Sequence, residues 1–230
     1  MTAPSDARAA LLARLAAACA GRHDADAVTE RLRDHPRGPR PRPADPADSA
    51  ELLVRFLETA EKAGARTDVL SSPREVPAGV AAILRHHDLP PRFWLPAAEH
   101  DADLAALDWA GAGLAPAAHP PPCEDDAFAA VTPAAAAIAE TGSCVFATSA
   151  AHPAAAAFLP RVHIVVLSAG RIVAGLDDVR VMLRASAATG TMPRAVNWVT
   201  GPSRTADIEQ TLVEGAHGPA ALHILALRET

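Results

Sequence analysis

The chain has 230 residues, 27 acidic against 21 basic side chains for a net charge of −6, and a hydrophobic fraction of 50% in which 56 residues are alanine. That length fits one ordinary domain with at most an appendage, and with only 21% charged residues the chain is too apolar to be disordered. The acidic balance excludes a general nucleic-acid binder, which needs a basic stripe, and no apolar run reaches the roughly 18–20 residues of a membrane span.

In chain order, Ser5 to about Ala20 reads as a short amphipathic helix with Leu11, Leu12 and Leu15 on one side. Arg14 splits its apolar centre, so no signal peptide is expected. Residues 22–48 mix basic residues with proline, notably Arg37 to Pro43, and are expected to form an extended linker because each proline fixes φ and removes a donor. Residues 1–48 are therefore read as a helix plus a Pro/Arg-rich linker, and residues 49–230 as one α/β domain.

From Ser49 the rhythm changes. Ser49 caps a helix from Glu51 to Lys62, with Leu52, Leu53, Phe56, Leu57 and Ala60 at helical spacing and Gly64 as its stop. A strand over Arg66–Leu70, a helix over Glu75–His87 and a strand over Arg92–Leu95 follow. Asp101–Leu107 and Trp109–Leu114 repeat the unit once more. Helix alternating with strand across short connections predicts a mostly parallel sheet flanked by helices. Phe128–Val131, Ala135–Glu140 and Ser143–Thr148 are close-set strands expected to turn back on one another. Arg161–Ser168 is apolar enough to be a strand buried on both faces. Ile172–Val173, a helix over Leu176–Ala187, a strand over Ala195–Thr200 and a strand over Leu222–Leu227 complete the reading.

Three short Gly-bearing turns carry the polar chemistry. After Ala195–Thr200, Gly201 and Pro202 break the strand, and Ser203, Arg204, Thr205, Asp207 and Glu209 arrive together. If this turn falls beyond the carboxyl end of a parallel strand, its backbone N–H groups, hydroxyls and guanidinium suit a phosphate or carboxylate. The competing reading is a local cap, with Arg204 paired to Asp207. In the second turn, Glu140 is followed by Thr141, Gly142 and Ser143, and its carboxylate serves either as a base or nucleophile or merely as a hairpin residue facing water. In the third, Glu214 to Pro219 surround His217 with glycine, which would let an imidazole approach a substrate or leave it a plain turn residue.

Other chemistries find little support. There is no HxxxH, HExxH or paired-cysteine metal motif, so no metal site is expected, and neither GxGxxG nor GxxxxGK[ST] occurs. His86 and His87 are adjacent on a helix and diverge. His163 is read as a hydrogen-bonded core histidine and Cys144 as an inert buried thiol. Cys19, Cys123 and Cys144 are too dispersed for a disulfide framework, which points to a reducing cytoplasm.

The order and spacing of Ala139–Ser143, Pro160–Val166, Gly201–Glu209 and Gly215–Pro219, ending in Leu222-His-Ile-Leu, resemble the LUD domain of the lactate utilisation protein C family. The resemblance runs from about Ser49 to Leu227. It implies a fold similar to the NagB/RpiA/CoA-transferase-like superfamily, with an antiparallel excursion from the parallel sheet. It further implies a component of an L-lactate utilisation system, in which L-lactate is oxidised to pyruvate together with iron–sulfur partner subunits. With no cysteine array in this chain, no cofactor is expected here and the clusters belong to the partners. The site residues it implies are Glu140, Asp207 and His217 as catalytic candidates. Thr141, Gly142, Ser143, Gly201, Ser203, Arg204, Thr205 and Glu209 are the candidate ligands of a small anionic metabolite. Two further readings stay open: a stand-alone isomerase or acyl/CoA-transferase-like enzyme using Glu140 or Asp207, and a non-catalytic assembly subunit.

Overall fold

The computed structural model describes residues 4–19, 25–34, 48–96, 102–120, 128–149, 152–188, 192–207 and 211–228. The chain divides into two compact units, residues 1–41 and 42–230. The first holds α1 (Pro4–Cys19) and α2 (Ala25–Asp34). Leu11, Leu12 and Leu15 of α1 and Val28 and Leu32 of α2 are exposed. Helix α2 corrects the expected linker in its first half. The prolines begin only at Pro36, whereas Ala25–Asp34 contains none and has Asp26 in its first turn and Arg31 and Arg33 in its last, which complements the helix dipole. The Arg37–Pro43 run lies outside the described residues.

The second unit opens with α3 (Ser49–Lys62), whose N-cap is Asp48 and not Ser49: the Asp48 carboxylate accepts from the N–H groups of Ala50 and Glu51 at 3.0 and 3.1 Å. Its far end is closed by Gly64 at φ +94°, with Gly64 N–H donating to Glu61 O and Ala65 N–H to Ala60 O. That bond pair is a Schellman motif, which needs a left-handed residue and therefore favours glycine.

The strands β1 (Arg66–Leu70), β2 (Arg92–Trp94), β3 (Ala115–Ala117), β4 (Ala129–Pro133), β7 (Val162–Ser168) and β12 (Ala221–Leu227) form a six-stranded, wholly parallel sheet in the order β1-β12-β7-β4-β2-β3. Val162 to Leu167 are buried without interruption, as a strand covered on both faces requires. Helix α4 (Val76–His86) sends Val76, Val80, Ile83 and Leu84 into one apolar cluster; α3 sends Leu52, Leu53, Phe56 and Ala60 into another. The predicted strand over Trp109–Leu114 is instead a chain of turns after the short helix α5 (Ala102–Ala105). Asp108 accepts from Gly111 N–H, Gly113 is left-handed, and Trp109 is tied by its indole N–H to Leu104 O, so extension starts only at Ala115.

A second, four-stranded sheet has the order β8-β5-β6-β9, from β5 (Ala136–Ile138), β6 (Ser143–Ala147), β8 (Ile172–Val173) and β9 (Val196–Val199). Strands β5/β6 and β6/β9 are antiparallel, and α6 (Leu176–Ala188) packs on β5 and β8. Only two of the three close-set strands expected to fold back on one another do so, since β4 joins the parallel sheet. Beyond β9, β10 (Arg204–Asp207) and β11 (Thr211–Glu214) make a two-stranded antiparallel hairpin. The fold is thus a mostly parallel sheet flanked by helices, with an antiparallel sheet beside it. Gly201 follows an antiparallel edge strand and not the parallel strand end expected for it, and the segment after it is a strand in its own right. No helix among the described residues is long and apolar enough to cross a membrane.

Candidate functional site

Three of the predicted site residues, Gly142, Gly201 and Arg204, meet at the C-terminal end of α3. Gly142 at φ +66° lies so close to α3 that a Cβ there would sit 2.6 Å from the Thr59 carbonyl carbon. Gly201 at φ +72° presses on Ala63, where a Cβ would fall 3.0 Å from the carbonyl carbon. The Arg204 guanidinium lies over Gly64, its central carbon 2.8 Å from where a Cβ would stand. A cation at the carbonyl end of a helix is favoured by the macrodipole. Three left-handed glycines and one arginine therefore hold the β5–β6 turn and the segment after β9 against one helix terminus.

The neighbouring hydroxyls bond among themselves. Ser143 Oγ is 2.7 Å from Thr141 Oγ1 and 2.6 Å from Thr200 Oγ1. Ser203 donates its backbone N–H to Pro219 O and accepts from Gly215 N–H, and Gly218 leaves room for its side chain, so the 215–219 turn joins the same assembly. His217 is exposed there. Glu140 is half-buried, with its carboxylate beside Gly175, and it lines a shallow recess on α3 with Arg55, Glu58 and Lys62. Thr205 and Asp207 lie in β10, opposite Val213 and Thr211, and Glu209 lies outside the described residues. The structure thus brings the three turns together, as a packed junction.

The larger concavity lies elsewhere. A cleft of about 880 Å³ opens where the parallel strands end, lined by Thr132 and Pro133 of β4, Val166 and Ser168 of β7, and Leu227 of β12. Phe146 and Thr148, at and beyond the end of β6, form another wall. The crevice beyond the carboxyl ends of parallel strands is where open α/β sheets bind ligands. Most of the lining is apolar, with a few polar groups: Thr132, Thr148, His152, Ser168, Arg171 and Asp103. Arg171 closes the 3₁₀ turn Ala169–Arg171 after β7, and its guanidinium donates to Ala135 O at 3.2 Å. None of the predicted site residues that the structure describes lines this cleft. The sequence offers these residues only as the last positions of predicted strands, as with Thr148 and Ser168, or as parts of other elements and connections, with no motif among them.

Two buried groups behave as their sequence surroundings imply. Cys144 is fully buried, and desolvation pushes its thiol up to about 12, so it stays protonated and unreactive. His163 is also fully buried; its Nε2 is 2.7 Å from Thr132 Oγ1, and desolvation lowers its pKa to about 3. A pairing that sequence alone did not reveal joins His87 and His223, with Nε2 atoms 2.8 Å apart. Burial, and then neighbouring histidine and arginine, lower both pKa values, that of His223 to about 4. This pair lies level with Arg66, at the amino end of the parallel strands and opposite the cleft. Among the described residues no group of three or more His, Cys, Asp and Glu side chains is placed to hold a metal ion.

Comparison with known proteins places this fold. The LUD domain family model matches residues 53–227. A lactate utilization protein C from Deinococcus radiodurans is 31% identical over 194 residues, 82% of this chain and 85% of the relative. Relatives of the same name from Shouchella clausii and Bacillus subtilis are 33% and 37% identical, with matches spanning 36% and 38% of their length. The crystal structure of a DUF162 family protein from Deinococcus radiodurans superposes with a TM-score of 0.58 at 24% identity, over 79% of this chain and 99% of that one. The chain belongs to the LUD domain family.

Proposed function

We propose that this protein is a cytoplasmic component of an L-lactate utilisation system and that it binds a small carboxylate anion in the strand-end cleft, with Arg171 as the fixed cation. The name shared by its relatives supports the system. One observation carries the site. Arg171 is steadied on the Ala135 carbonyl inside the cleft, whereas the Arg204 guanidinium is seated on Gly64 at the end of α3. A guanidinium held in place loses less entropy on engaging a carboxylate than a free one does. The Gly201–Glu209 segment, first read as the anion site, then acts as scaffold. Oxidation of lactate to pyruvate releases two electrons, which this reading sends to iron–sulfur partner subunits, because the three cysteines are dispersed along the chain.

Calorimetric titration tests the reading with L-lactate, pyruvate and longer 2-hydroxy and 2-oxo acids, included because the cleft exceeds a three-carbon acid in volume. Arg171→Ala is expected to weaken the bound acid by about tenfold or more, the loss of one charge-assisted interaction. Arg204→Ala is expected to leave its affinity unchanged. Wild-type protein that binds none of these acids, or an Arg171→Ala variant that binds them equally well, overturns the proposal.

A further inference from the structure

His163 is the one polar residue in the run Val162–Leu167, at the centre of the parallel sheet. Burying an imidazole there costs free energy that an aliphatic side chain would avoid, so its hydrogen bond has to account for its presence. Among the described residues its only hydrogen-bond partner is Thr132 Oγ1, through Nε2, while Nδ1 is buried with none. The ring is flanked by Phe146, centroid to centroid 5.2 Å. Thr132 and Phe146 both line the cleft; His163 stands behind them.

The unpartnered Nδ1 decides where the proton resides. A buried N–H with no acceptor is rarer and costlier than a buried lone pair with no donor. The ring therefore favours hydrogen on Nε2, which donates to Thr132 Oγ1. Thr132 then has one lone pair occupied by His163, and its own hydroxyl hydrogen is free to turn toward the cleft. The opposite tautomer would bury an orphaned N–H and spend the Thr132 hydrogen on His163, so that Thr132 would present only acceptors to the cleft.

We infer that His163 is a positioning residue that sets Thr132 as a hydrogen-bond donor into the strand-end cleft, where it meets a carboxylate or keto oxygen of the ligand that Arg171 holds. The ligand half of this inference rests on the anion-binding reading of the cleft; the tautomer half does not. Desolvation keeps the ring neutral throughout the physiological range, so the device does not switch with pH.

Two measurements test it. Long-range ¹H–¹⁵N NMR of the full chain labelled at histidine reads the tautomer with no ligand present: neutral His163 protonated at Nε2 is expected, and an Nδ1-protonated or doubly protonated ring overturns the inference. Titration of variants with pyruvate, or with the longer 2-oxo acid that the wild type binds in its place, reads the consequence. Thr132→Val, close to the wild-type shape, is expected to lose about tenfold in affinity, while Thr132→Ser stays near wild type. His163→Gln, which restores a side-chain amide in place of the imidazole donor, is expected to retain more affinity than His163→Leu. Thr132→Val that binds pyruvate as wild type does overturns the inference. Wild-type protein that takes up neither pyruvate nor any of the other 2-oxo and 2-hydroxy acids defeats the anion reading instead, and the tautomer is still decided by the spectrum.

Discussion

Replacing single glycines by alanine separates backbone strain from close packing at the end of α3. Gly113, Gly142 and Gly201 all have φ between +66° and +73°. An alanine at any of them pays the left-handed penalty of about 1–2 kcal/mol. Gly113 has nothing within 4 Å of the added Cβ, so Gly113→Ala should pay that penalty alone. Gly142→Ala and Gly201→Ala drive the Cβ into the backbone of Thr59–Ala60 and of Ala63, which cannot swing aside as a side chain can. Overpacking of this kind adds roughly 1–3 kcal/mol, so each should lose roughly 2–5 kcal/mol in total. Urea unfolding followed by tryptophan fluorescence is the assay, because Trp94, Trp109 and Trp198 all lie in the second unit and report it alone. If Gly142→Ala and Gly201→Ala cost no more than Gly113→Ala, the close approach to α3 is wrong and the turns are free to serve a ligand.

Arg204→Ala should lower stability by about 0.3–1 kcal/mol through loss of a cation at a helix C-terminus, read from the same urea transition. His163 and His223 have pKa values lowered from 6.5 to about 3 and about 4, so between those values and 6.5 the unfolded chain binds more protons than the folded one. Stability should therefore be flat with respect to these groups above pH 6.5 and fall as pH drops below it; His163→Gln should flatten the fall, and an unchanged slope would contradict the assignment. Alkylation under native conditions followed by mass spectrometry should modify the exposed Cys19 and spare Cys144 until the domain unfolds.

The architecture was largely legible because it rests on local patterns: helical spacing in Leu52–Ala60, the uninterrupted apolar run at Val162–Leu167, and Gly64 as a stop. The helix at Ala25–Asp34 is hidden by the composition of residues 22–48, which is dominated by the prolines from Pro36 onward. The polar turns stand out in the sequence, but the reason for Gly142 and Gly201 lies at the end of α3, more than 70 residues away along the chain, and spacing cannot show a partner that distant. The same limit hid the cleft. Thr132 and Arg171 look like connection residues, and Ser168 like a plain strand end, until the parallel register of β4 with β7 brings their strand ends side by side. On pattern alone His163 is a core histidine; only the placement of Thr132 on the cleft wall gives that histidine a further role.

An anion held at the strand ends and not at the glycine junction is visible in the difference electron density of crystals soaked in pyruvate. Density for the acid is expected between Thr132 and Arg171, with Arg204 still lying on Gly64. Density at the Gly201–Arg204 segment, with the strand-end cleft holding only solvent, would contradict it.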